Sequence, residues 1–427
     1  MKSYLSKTFL IFVFTFIIFS FLFGRSFMGV YIFNFRIGEY LIGLCLLLTI
    51  YIFVNFKSIF KKQPRPTFTL YTLLITSYFF SALLTNSSLM STYTYKSSSY
   101  ILTISCFFIA SLFLNNKVVS SKFVFTLQFT ILYVYVLSTI YFPKSLIKFF
   151  ENYSDKFDFN KAASLALFFL ATVYLSNRTK NLQSYTIGYF FILSAIFLPL
   201  LLYKSRGSFL AILLFVLFEL FNMRGEIVKY PLKNIIFFVI AILIFVQSSF
   251  DLTDNEFKIE ETSNAVSDLL DQKNTNVSYF SFYYTDSRLY SLDYNVNWRI
   301  QIWQDVINDS LKEKTILFGN GYQQILPAMD NPERQGRDGT NENVHNFIIN
   351  MYGRGGIVQV FLYLAFIGSI YFNFSKGNRK EFITVVIPVF IISFFDSSME
   401  NAHFPVLFYT FLGYVFNQFN DKNKIRF

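Results

Sequence analysis

Histidine and cysteine each occur only twice in this chain of 427 residues, and charged side chains make up only 15% of it. Each shortage excludes something. Cys45 and Cys106 both lie in apolar runs, so a cysteine-rich zinc site is out and packed free thiols are expected. With only His345 and His403 available there is no HExxH, and GxxxxGKS/T and a strand-linked GxGxxG are missing too. No Asp-rich pair of the kind used by metal-dependent nucleotide-sugar transferases is present. Neither a metal ion nor another cofactor is therefore expected. The scarcity of charge also excludes an ordinary soluble domain.

What is present is apolar surface: 54% hydrophobic residues, with phenylalanine alone occurring 59 times. Runs of about 20 apolar residues, the length needed to cross ~30 Å of hydrocarbon, recur along the chain. Twelve spans are expected, near residues 8–24, 37–56, 67–84, 99–114, 123–142, 161–177, 184–203, 207–222, 233–250, 344–373, 381–396 and 402–419. The fold class is an all-α polytopic membrane protein with one large extracytoplasmic loop. Lys2 and Lys7 precede the first run without a small-residue cleavage site after it, which reads as a retained span. The tenth run is too long for a vertical helix, so it should tilt or project at one end.

The net charge of +11 reads as an orientation signal and not as a nucleic-acid footprint. With the N-terminus inside, inner tails and loops carry 19 lysines and arginines against 9 in the short outer loops. Both termini are then cytoplasmic. The chain divides into spans one to nine (1–250), a long outer loop (251–343) and spans ten to twelve (344–427). That loop holds 16 of the 26 acidic residues. Within it residues 297–312 read as an amphipathic helix with Arg299, Trp303, Val306 and Ile307 on one face. Such a helix either lies on the membrane or caps a cavity. Residues 319–324 and 331–340 are rich in turn formers.

Three side chains stand out as chemistry at the outer face. Arg206 follows Ser205 where span eight begins, and that helix points its N-terminus outward. Free N–H groups, the helix dipole, a Ser205 or Ser208 cap and a planar guanidinium together suit a phosphate or pyrophosphate. Arg299 is a second cation at the same level. The plain alternative for both is an interfacial arginine reaching for headgroups or water. His345 opens span ten, where the positive helix end would keep the imidazole neutral and able to accept a proton. Its plain alternative is a polar helix cap. Tyr203, Lys204, Trp303, Glu342 and Asn346 flank these three as candidate substrate contacts. Asp396, Glu400 and His403 share the last outer loop, where either carboxylate could orient a catalytic group, though the loop reads most simply as short and solvated. Arg354 sits about 14 Å along the helix from His345, at ~1.5 Å per residue, and should face the bundle interior.

In order and spacing these residues resemble the O-antigen ligase and O-antigen polymerase superfamily of bacterial membrane glycosyltransferases. Arg206 to Leu210 resembles the family's R-x3-L. Asn297-Trp-Arg299 through Trp303, then Gly319-Asn-Gly321, resembles its middle block. His345-Asn346 with Ile349, then Gly356, resembles its HNxxL segment and following glycine. Two departures are Ile349 for leucine and Arg354 where an acidic residue is frequent.

The resemblance implies a GT-C-like arrangement and an undecaprenyl-diphosphate-linked oligosaccharide donor. It also implies a site on the periplasmic side of the bacterial inner membrane. Arg206 and Arg299 would hold the diphosphate, and His345 would activate or orient the acceptor hydroxyl. A polysaccharide polymerase for O-antigen or capsule repeats is the favoured reading, with a ligase to lipid A-core as its alternative. Membrane lipids, a chain-length regulator and other envelope-assembly proteins are the expected partners, and no nucleic acid. A lipid-linked oligosaccharide flippase is the competitor from another class, but the expected inverted repeats are not seen. A structural scaffold is a third class.

Overall fold

The computed structural model describes residues 2–55, 64–89, 91–114, 119–155, 157–179, 183–254, 282–335 and 341–419. Expectations on 255–281, 336–340 and 420–427 lie outside the described residues. So do the orientation charges Lys57, Lys61, Lys62, Lys117, Lys156 and Lys180.

Helices occupy all twelve expected span positions. In chain order they are α1 (Lys2–Met28), α2 (Ile37–Val54), α3 (Arg65–Leu84), the pair α4 (Thr92–Leu102) and α5 (Ile104–Phe113), and α6 (Ser121–Thr139). After the short amphipathic α7 (Lys144–Tyr153) come α8 (Ala162–Arg178), α9 (Gln183–Lys204), α10 (Arg206–Lys229) and α11 (Pro231–Asp254). The long loop contributes α12 (Tyr294–Lys312), and α13 (Phe347–Asn373), α14 (Arg379–Phe395) and α15 (His403–Phe419) close the chain. Among the described residues, nine helical stretches are long and apolar enough to cross a membrane. The chain is a polytopic membrane protein.

Burial separates the helices. α8 and α15 are apolar on all faces and bury nearly every side chain, as central helices do. α11 leaves most of its isoleucines and phenylalanines exposed, the pattern of a helix that faces lipid. Cys45 and Cys106 are free thiols with their sulfurs 3.6 Å apart.

The tenth span is not one tilted rod. Gly356 takes φ 71°, ψ −177° inside α13, and a Cβ there would strike the Leu317 carbonyl. The break frees backbone groups, and residues 316–321 come in to satisfy them. Ile357 N–H donates to the Ile316 carbonyl (2.8 Å), while Asn320 and Gly321 N–H donate to the carbonyls of Gly353 (2.8 Å) and Arg354 (2.9 Å). Irregular backbone at membrane depth persists only when protein supplies such partners. Arg354, 2% exposed, faces inward as expected. It donates to the carbonyls of Gly321 (3.4 Å) and Gln324 (2.9 Å) and to the Tyr93 hydroxyl (3.2 Å).

The loop helix also differs from expectation. α12 begins three residues earlier, capped by Asp293, whose carboxylate accepts from Val296 N–H at 2.9 Å. Its buried line is Ile302, Val306 and Ser310, not the stripe ending at Ile307, which is 39% exposed. Ile302 and Val306 pack on Leu326, Ala328, Met329 and Val344, so this face of α12 rests on protein. An antiparallel hairpin, β3 (Phe282–Thr285) with β4 (Arg288–Ser291), leans on α12 through Arg288 and Asp305; a smaller hairpin joins α1 to α2 through β1 (Tyr31–Ile32) and β2 (Phe35–Arg36).

Candidate active site

Helix ends of α9, α10, α12 and α13 come together at one end of the bundle. Ser205 caps α10, its hydroxyl accepting weakly from Ser208 N–H at 3.4 Å. Arg206 is the first residue of that helix, half exposed, and its guanidinium pairs with Asp293 at 3.2 Å. Asp293 therefore serves two helices at once, as the cap of α12 and the counter-ion at the start of α10. Tyr203 and Lys204 occupy the last turn of α9, partly buried, just before Arg206.

Arg299 lies in the second turn of α12. Burial pulls its pKa down, while Asp396 and Asp293 pull it up. It stays protonated at any physiological pH, and its Nε has no hydrogen-bond partner among the described residues. A desolvated cation with a spare donor is ready for an anion. The preceding Trp298 sets its ring 5.3 Å from that of His345, tilted by 55°.

His345 is not the helix cap. Asn346 fills that place, its side-chain oxygen accepting from Ile348 N–H (3.0 Å) and Ile349 N–H (3.1 Å). His345 precedes it with φ 53°, a left-handed conformation that side-chain-bearing residues avoid unless the surroundings impose it. Its Nε2 lies 3.1 Å from the Asn341 side-chain oxygen. The imidazole pKa is lowered to about 4, by burial first and then by Arg299 and Lys161. The expected direction holds, but the chief cause is desolvation and neighbouring cations, where helix polarity had been expected to act.

The remaining flanking residues have structural partners. Trp303 donates to the Val344 carbonyl at 2.9 Å and packs on Phe394, holding the segment before His345. Glu342 pairs with Lys96 at 2.9 Å. The loop between α14 and α15 is the clearest correction. It is not a solvated turn: Glu400 and His403 are 6% and 4% exposed, and burial raises the carboxyls of Asp396 and Glu400, the latter to about 7.

Two residues escaped the sequence reading. Asp293 carried a readable signal, an acidic residue just before a helix. Lys161 also sits before a helix, as N-cap of α8, yet its nearness to His345 and Asp396 depends on packing alone.

Arg206, Arg299 and His345 thus sit in one region, linked through Asp293 and Trp298. Residues 189–364, from α9 into α13, match the family model described as O-antigen ligase. The chain carries an O-antigen ligase family domain. All three side chains fall within it, and members of that family are glycosyltransferase-like enzymes. A search of curated proteins finds no match.

Proposed function

We propose that this O-antigen ligase family protein is a polysaccharide polymerase of the bacterial inner membrane, with both termini cytoplasmic and the long loop periplasmic. It transfers a glycan from undecaprenyl diphosphate to a sugar hydroxyl, without a metal ion. The observation that carries the reading is the convergence of two guanidinium groups and a neutral imidazole around Asp293 and Trp298.

In this reading the acceptor oxygen attacks the anomeric carbon as the bond from that carbon to the diphosphate oxygen breaks. The hydroxyl proton passes to His345, and undecaprenyl diphosphate leaves with the bonding electron pair. Charge grows on the departing diphosphate, and preorganised cations stabilise it most where water is scarce. Arg206 and Arg299 fill that role. The anionic donor also offsets the cations that depress the His345 pKa, so substrate arrival makes the imidazole a better base. Tyr203, Lys204 and Ser205 lie beside Arg206 and are assigned to the donor; Asn346, Trp303 and Glu342 hold the histidine segment in place.

The family description favours a second reading, a ligase that moves finished chains to lipid A-core. Surface glycan in a deletion strain separates the readings. A polymerase defect leaves glycan one repeat long, and a ligase defect leaves long unattached chains. Lipid-linked repeats held on the cytoplasmic side would discard both in favour of a flippase.

A further inference from the structure

The two hairpins carry aromatic side chains in different places. β1–β2 turns through Phe33 and Asn34, with Phe33 93% exposed between Ile32 and Phe35. An apolar tip of this kind suits a lipid interface, where aromatic residues collect. β3–β4 turns through Asp286 and Ser287, both exposed and both at positive φ (47° and 60°), as a tight two-residue turn requires. A carboxylate at the tip is costly to put into lipid. The aromatic residues of this second hairpin lie along its strands, three of them as tyrosines.

Register sets which way they point. Tyr283 pairs with Tyr290 across the hairpin, and their rings stack, with centroids 5.4 Å apart and planes 14° from parallel. Faces alternate along a strand, so Arg288 shares the face of Tyr283 and Tyr290, while Tyr284 and Leu289 lie on the other. The edge of β4 is bonded to α12: Leu289 N–H donates to the Gln304 side chain, and the Leu289 carbonyl accepts from Gln301 and Gln304, all at 2.8 Å. Arg288 reaches the Gln301 carbonyl (3.3 Å) and Asp305, so its face is the one turned toward the helix that carries Arg299. Tyr283 is exposed there and Tyr290 is half-buried.

The hairpin also leads into the proposed donor site. Ser291 ends β4; its N–H donates to the Asn297 side chain (3.0 Å), and its hydroxyl accepts from Asp293 N–H (3.2 Å). Asp293 is the counter-ion of Arg206. Tyr290 precedes it by three residues, at most about 11 Å of extended chain. The one arginine on the hairpin is held by Asp305, so this surface offers a phosphate no spare cation. Tyrosine supplies a flat, stiff, amphipathic surface. Such a surface suits the apolar face of a neutral sugar ring, with the phenol hydroxyls left for sugar hydroxyls.

We propose that the Tyr283–Tyr290 face is a sugar-binding platform for the donor. The glycan carried on the diphosphate runs from Arg206 and Arg299 across this face, and the tyrosine rings stack on its sugar units. The proposal rests on the glycosyl-transfer reading above and extends it from the diphosphate to the chain attached to it.

The test compares two ligands and two faces. Undecaprenyl-diphosphate-linked repeat from the producing strain and bare undecaprenyl diphosphate are each titrated against purified full-length protein, with tryptophan fluorescence as the signal. Trp298 and Trp303 are the chain's only tryptophans, and Trp298 lies against His345. Joint Tyr283→Ala and Tyr290→Ala should weaken the linked repeat about tenfold, the scale of lost aromatic contacts, and leave the bare diphosphate unchanged. Tyr283→Phe with Tyr290→Phe should hold most of the affinity, and Tyr284→Ala, on the other face, should change neither ligand. Unchanged binding of the linked repeat in the alanine pair overturns the platform. Equal weakening of both ligands overturns it too, because the hairpin would then only support the diphosphate site.

If the alanine pair depletes folded protein, Tyr283→Leu decides, since leucine keeps apolar bulk and loses the flat ring. Weaker binding of the linked repeat alone supports the platform, and no change rejects it. Added fluorescence from Tyr283→Trp that brominated phosphatidylcholine quenches in nanodiscs would place this face on the bilayer and reject a sugar ligand. Failure of the wild-type protein to bind bare undecaprenyl diphosphate would sink the donor reading itself, whatever the hairpin does.

Discussion

The two ends of α8 treat buried charge in opposite ways. At its C-terminal end every guanidinium nitrogen of Arg178 meets a carboxylate: Nη1 bonds Glu219 at 2.7 Å, and Nε and Nη2 bond Glu381 at 2.9 and 2.6 Å. The Tyr174 ring lies 3.8 Å beneath the cation, and its hydroxyl donates to Glu381 at 3.0 Å. At the N-terminal end Lys161 makes no ion pair among the described residues, and near it Arg299 keeps an unpartnered Nε. Three cations there (Lys161, Arg206, Arg299) face two carboxylates (Asp293, Asp396). Cation and carboxylates paired within the protein tie α8, α10 and α14 together, with one Glu219 oxygen left without a hydrogen-bond partner among the described residues. Charge left in surplus is available to a substrate.

That contrast breaks most sharply under alanine substitution. Arg178→Ala strands Glu219 and Glu381 in the interior, at a cost of about 3–5 kcal/mol. The expected outcome is loss of folded protein from the membrane, read by immunoblot and by the detergent-solubilised monodisperse fraction. Arg299→Ala should leave that fraction unchanged while transfer falls by about 10²–10³, the usual cost of removing one preorganised donor from a developing anion. If Arg299→Ala also depleted the protein, the two ends would be alike and the surplus-charge argument would fail.

Arg206→Lys sharpens the comparison within the site. Arg206 is half exposed and already pairs with Asp293, so water and that carboxylate screen it more than Arg299. Lysine keeps the charge and loses the planar fork. Transfer should fall by less than in Arg299→Ala, and the donor KM should rise more than kcat falls. An equal loss in both variants would put the two arginines on one footing.

How much of this was legible in the sequence follows from the range of the interactions. Spans are local: an apolar run announces itself, and helices fill all twelve positions, the fourth as the pair α4 and α5, with nine stretches among the described residues long and apolar enough to cross a membrane. Arg206, Arg299 and His345 were visible because their motifs are short and contiguous. The break in α13 was not, because Gly356 takes its conformation from residues 316–321, which fill the gap. The loop between α14 and α15 was misread for the same reason. Its composition is polar, but α4 packs on it, Ser99 donating to the Met399 carbonyl at 3.1 Å, and the His403–Ser164 contact joins residues 239 positions apart. The hairpin β3–β4 is short and tyrosine-rich, without the alternation that marks a half-buried strand. Lys161 was only one of the nine basic residues counted in the short loops, and its action on both His345 and His403 comes from packing.

The smallest effect concerns that lysine. His345 has its pKa lowered to about 4, so the imidazole is neutral from ordinary pH down to roughly that value. A group depressed below its unfolded value of ~6.5 adds stability that is complete above 6.5 and is lost as pH falls through about 4. The acid limb of kcat/KM, which reports the free enzyme, should therefore lie near 4 and well below that of an ordinary histidine. The limb of kcat should lie higher, because the bound diphosphate favours the imidazolium. Lys161→Gln removes one of the two cations named beside burial as causes of the shift. Its expected result is an acid limb of kcat/KM moved upward, with the level on the neutral plateau reduced far less than by Arg299→Ala. A limb that did not move, measured in detergent-solubilised protein across the acid range, would mean that Lys161 does not act on His345 and that its place at the start of α8 is structural.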